Sequence, residues 1–102
     1  MILHEKFTTD TLQAYEMETL KSLDFDEVWY SYSYGSYEGS GQLIARKGDL
    51  YDFHDMGHCS CYGAIDHLIF GGKPLPELID ILKLNSFYWK QIEGLLKNYK
   101  LI

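Results

Sequence analysis

The sequence predicts an α+β domain: an N-terminal helix, a three-stranded antiparallel meander, then a short helical turn and two C-terminal helices packed on the sheet. Three observations predict it. "EVWYSYSY" is built of aromatic, β-branched and serine residues that alternate, which is the period of a strand. "KGD" separates two further alternating runs, as a hairpin turn does. The last thirty residues switch to apolar positions three and four apart, the period of a helix.

Each element follows from local chemistry. In "TTDTLQAYEMETLKSLDF", Asp10 is placed to cap a helix, with Gln13 in capping-box position. Leu12, Tyr15, Thr19, Leu20 and Leu23 then share one face, and Glu16 and Glu18 point to water. The first strand, Val28–Tyr34, turns Val28, Tyr30, Tyr32 and Tyr34 one way and Trp29, Ser31 and Ser33 the other. "GSYEGSG" has three glycines in seven residues and reads as a loop. Gln42–Arg46 and Leu50–Met56 complete the meander. "AIDHLIF" reads as one or two helical turns stopped by Gly71 and Gly72. "LPELIDILKL" follows, with Pro76 in its first turn and a stripe of Leu75, Leu78, Ile79 and Leu82. Ser86 is placed to cap the last helix, whose stripe is Tyr88, Ile92, Leu95, Leu96 and Tyr99. The helices are expected to cover one face of the sheet.

A chain of 102 residues suits one domain, 1–102, and 46% hydrophobic residues suffice for a core. The net charge of −6 disfavours nucleic-acid binding, which needs cations to displace counterions. A basic protein partner fits such a charge better. No apolar run reaches the length of a membrane span. "MILHEKF" turns charged too early for a signal peptide, so a cytoplasmic protein with reduced thiols is expected.

"HDMGHCSCYG" concentrates chemistry-bearing residues. His54, His58, Cys59, Cys61 and His67 would supply enough ligands for zinc. Yet one residue separates the cysteines, where structural zinc sites place two to four, and no second knuckle exists. That spacing favours small packed thiols, with no cofactor. Zinc binding is the first alternative. A reactive thiol near the Asp55–His58 pair is the second, and neither an oxyanion loop nor a third orienting group marks an enzyme. The tyrosines of "SYSYGSYEGSG" serve either as the sheet face under the helices or as a recognition surface. Its glycines match no phosphate loop.

"SYGSYEGSGQ" followed by "GHCSCYG" resembles small proteins encoded by bacteriophages and other mobile elements, over roughly residues 29 to 63. The resemblance carries no catalytic residue. It implies a protein that binds a host protein, such as a component of CRISPR or another defence system, as an inhibitor. The surface expected to do so joins Tyr34, Ser36, Tyr37 and Glu38 to His58. The loop after the first strand and the end of the third fall at one edge of a meander.

Overall fold

The computed structural model describes residues 1–35, 38–58 and 63–102. It is an α+β fold built on a four-stranded mixed sheet of order β1-β2-β3-β4. Strand β1 is Ile2–His4, β2 is Glu27–Gly35, β3 is Glu38–Lys47 and β4 is Leu50–Asp55. The expected meander is present as β2, β3 and β4, paired antiparallel. The fourth strand, β1, was not expected and runs parallel to β2 at the sheet edge. Its three residues are too few for alternation to register. Helix α1, Ala14–Ser22, therefore lies within a β-α-β unit instead of opening the chain.

The turn between β3 and β4 is as expected. Lys47 pairs with Leu50, and Gly48 adopts a positive φ of 58°, which glycine reaches without steric cost. The glycine-rich "loop" is a correction. Gly35 closes β2, and Glu38, Gly39, Ser40 and Gly41 are strand residues paired with Gly35, Tyr34, Ser33 and Tyr32. Ladder hydrogen bonding and the neighbouring aromatic rings override the weak strand propensity of glycine.

Helix α1 begins three residues later than expected. Gln13 is its N-cap, and its backbone N–H donates to Glu16 Oε1 at 3.3 Å. Asp10 instead accepts the backbone N–H of Tyr34 at 2.9 Å. The shift rotates the buried face onto Leu12, Glu16 and Leu20, leaving Tyr15 and Thr19 in solvent. Glu16, expected in water, is only 3% exposed.

The sheet is covered on both faces, where one was expected. Leu20 of α1 packs with Val28, Tyr30, Tyr32, Leu43, Met56, Ala64 and Ile65 on the first face. Helices α2, Leu75–Lys83, and α3, Ser86–Asn98, cover the second, where Leu78, Leu82, Ile92, Leu95 and Leu96 enclose Trp29 and Ile44. Strand alternation accounts for the division, since Val28, Tyr30 and Tyr32 point away from Trp29. Asn85, not Ser86, caps α3; its Oδ1 accepts from the N–H groups of Phe87 and Tyr88 at 3.1 and 3.2 Å. Residues 64–70 form a turn and irregular chain instead of the expected helical turn. Two side chains hold this segment: Glu16 Oε2 accepts the Ala64 N–H at 2.6 Å, and His54 Nε2 binds the Ala64 carbonyl at 2.8 Å.

Candidate functional site

Gly39 sits between two strands of side chains. Its β3 position pairs with Tyr34 on one side and with His58 on the other. The His58 bridge has two backbone hydrogen bonds of 2.9 Å each. Because Gly39 has no side chain, the ring of His58 lies over it, and that ring stacks with Tyr34, 5.8 Å apart at 21°. Tyr32, two residues back on β2, lies nearly parallel to His58 at 5.9 Å. Its hydroxyl forms a 2.6 Å hydrogen bond with His58 Nε2. A Cβ on Gly39 would stand 2.2 Å from that nitrogen and 2.5 Å from the Tyr32 hydroxyl.

The residues expected to form a recognition surface thus divide as follows. Tyr34 and His58 meet, as the shared sheet edge implied. Glu38 is exposed at the start of β3, paired with Gly35, and not on a loop tip. Ser36, Tyr37, Cys59 and Cys61 lie outside the described residues.

The sequence reading missed the contribution of α1. Tyr15, 55% exposed, sits beside the segment after Gly63; a Cβ on Gly63 would lie 3.1 Å from its hydroxyl and 2.9 Å from Glu16 Oε2. Asp66 closes the same corner, its Oδ2 accepting the Gly63 N–H at 2.7 Å. The signal that could have shown this was the capping choice at Gln13. With Glu16 turned inward, Tyr15 falls at the rim.

The field at this edge is negative. The charge of Glu16 first, then burial, Asp66 and Tyr34 raise the Tyr15 pKa above its ordinary value. Tyr32 is pushed up to about 12, first by burial, then by Glu16, Tyr34 and Asp10. Its hydroxyl is therefore protonated throughout the physiological range. Among the described residues, no lysine or arginine forms an ion pair with Asp10, Glu16 or Asp66. The two basic side chains of β3 are engaged at the far end of the strand, Arg46 with Glu27 and Asp26 and Lys47 over the rings of Phe25 and Phe70.

Among the described residues, no three His, Cys, Asp or Glu side chains converge on one point. The Nε2 atoms of His54 and His58 are each held in a hydrogen bond, and His67 is an exposed turn residue at φ 66°. Burial lowers the His54 pKa, which suits the neutral ring beneath Ala64.

Among the described residues, no helix is long and apolar enough to cross a membrane. No protein-family model matches the chain, and no curated protein or solved structure is significantly similar to it.

Proposed function

We propose that the chain works by binding a partner protein through the edge that carries Tyr15, Tyr34, Glu38 and His58, and that the partner meets it with a basic surface. In line with the resemblance to phage and mobile-element proteins, the partner is a host protein, and binding inhibits it. One observation carries the reading. Two exposed tyrosines, Tyr34 at 47% and Tyr15 at 55%, stand beside Asp10, Glu16 and Asp66, which among the described residues have no ion pair with a lysine or arginine. Tyrosine supplies large contact area and a hydroxyl while losing few rotamers on binding. The stack with His58 holds Tyr34 in place before a partner arrives, which lowers the ordering cost. Uncompensated carboxylates favour cationic partners and speed their encounter.

The test compares capture from host-cell lysate by the immobilised parent and by a variant carrying Tyr15→Ala and Tyr34→Ala. A protein captured by the parent and lost by the variant, at an unchanged melting temperature, supports the reading. Equal capture by both moves the interface elsewhere. Addition of salt should weaken the contact, because Asp10, Glu38 and Asp66 are exposed to solvent.

A further inference from the structure

We infer, resting on the reading of this edge as a protein interface, that Tyr15 and Tyr34, flanked by Asp10 and Asp66, form a receptor for one arginine side chain of the partner. The two rings come from different elements, Tyr15 from α1 and Tyr34 from β2, and remain 55% and 47% exposed. Their hydroxyls are close enough that the charge state of one acts on the other. His58 supports Tyr34 by stacking on it, and His58 is itself tied to the Tyr32 hydroxyl. The Tyr15 hydroxyl lies at the corner formed by Gly63, Glu16 and Asp66, where a Cβ on Gly63 would stand 3.1 Å from it. Two aromatic surfaces are thus brought together before any ligand arrives, which lowers the cost of ordering them.

Charge and hydrogen-bonding capacity choose the occupant. Residues 7–20, 29–45 and 51–72, from which this edge is drawn, contain no lysine or arginine; their only basic side chains are His54, His58 and His67. The carboxylates acting on the Tyr15 hydroxyl are Glu16 and Asp66, and those acting on Tyr32 are Glu16 and Asp10, with no cation among the groups that act on either. These carboxylates differ in what they can still accept. Glu16 is buried, and both its oxygens take backbone N–H groups, from Gln13 and Ala64. Asp10 and Asp66 are exposed, and each spends only Oδ2 on backbone, on the N–H groups of Tyr34 and Gly63. Among the described residues, no hydrogen bond reaches the Oδ1 atom of either. Two positioned, charged acceptors therefore stand beside two tyrosine rings. A guanidinium matches both at once, because its plane stacks on an aromatic face while its N–H groups donate to carboxylate. The ammonium of lysine is a compact, strongly hydrated charge without that plane, so it gains less from the same site.

The test titrates the full chain with short glycine–serine peptides whose central residue is arginine, lysine or citrulline, the neutral isostere of arginine. Nuclear magnetic resonance follows the ring resonances of Tyr15 and Tyr34. The arginine peptide should move both rings saturably. It should bind about fivefold or more tightly than the lysine peptide and about tenfold or more tightly than the citrulline peptide. Tyr15→Ala with Tyr34→Ala should abolish the binding. Asp10→Asn with Asp66→Asn should weaken it about fivefold or more, because asparagine keeps an acceptor oxygen for the Tyr34 and Gly63 N–H groups and loses only the charge. Circular dichroism checks that both variants stay folded. Lysine or citrulline peptide binding as tightly as arginine peptide, or no shift of either ring at millimolar arginine peptide, overturns the inference. Lysate capture separates the receptor from the interface. A host protein lost by the Tyr15→Ala, Tyr34→Ala variant, yet captured by the parent equally well after its arginines are blocked with phenylglyoxal, keeps the edge as an interface and overturns the arginine receptor. Saturable arginine-peptide binding alongside equal lysate capture by parent and variant supports the receptor and moves the host-protein interface elsewhere.

Discussion

An alanine at position 39 should disturb His58 and leave the sheet standing, whereas an alanine at position 41 should damage the sheet itself. At Gly39 the new methyl would meet His58 Nε2 at 2.2 Å and the Tyr32 hydroxyl at 2.5 Å, the outer ends of two side chains. The imidazole must move by more than an ångström to regain normal contact. That breaks its 2.6 Å bond to Tyr32 and its stack on Tyr34. The hydrogen bond contributes about 0.5–1.5 kcal/mol and the stack about 0.5–1.5 kcal/mol. Removing a strand glycine returns about 0.5–1 kcal/mol of backbone entropy. The net loss for Gly39→Ala is then about 0–2.5 kcal/mol. At Gly41 the methyl would meet the Ser31 carbonyl oxygen at 2.1 Å and the Tyr32 Cα at 2.9 Å, and backbone in a paired strand cannot swing aside. Forced overpacking of this kind costs typically about 1–3 kcal/mol, and the close approach to paired β2 backbone places Gly41→Ala at the upper end. Urea unfolding of both variants measures the difference, and the proton shift of His58 Cε1 reports the ring. The reasoning fails if Gly39→Ala is as destabilising as Gly41→Ala, or if the His58 resonance does not move.

Three other outcomes are expected. Glu16→Ala leaves the buried Ala64 N–H without its carboxylate and should cost about 2–3 kcal/mol in urea unfolding, with Glu16→Gln losing less because an acceptor oxygen remains. The His54 pKa is lowered by burial, so the unfolded chain binds that proton more readily. The contribution of His54 is present above its unfolded value of about 6.5 and is lost as pH falls through the lower folded value. His54→Gln should flatten the stability profile below pH ~6.5, and a profile as steep as the parent's would count against this assignment. Asp52 accepts the N–H groups of Phe53, Gly71 and Gly72, so Asp52→Ala should lower stability by about 1–3 kcal/mol and increase amide exchange at Gly71 and Gly72.

The sequence by itself determined the elements whose signal is local. Alternation placed β2, β3 and β4, and apolar spacing placed α2 and α3 with their buried leucines, because both periods follow from backbone geometry alone. It also brought Tyr34 and His58 to one edge, since meander connectivity dictates which strand ends coincide. Tertiary structure decided what depends on distant partners. β1 is a strand because β2 offers it a ladder at Glu27, Val28 and Trp29, and no three-residue pattern encodes that. Gly39 is a strand residue because the His58 ring and the Tyr32 hydroxyl fill the space it leaves, and Gly41 because the backbone of Ser31 and Tyr32 approaches too closely for a side chain. Glu16 is buried because the Ala64 N–H, 48 residues away, needs an acceptor. That contact turns α1 by one position, places Tyr15 at the rim, and so completes the edge proposed to bind the partner.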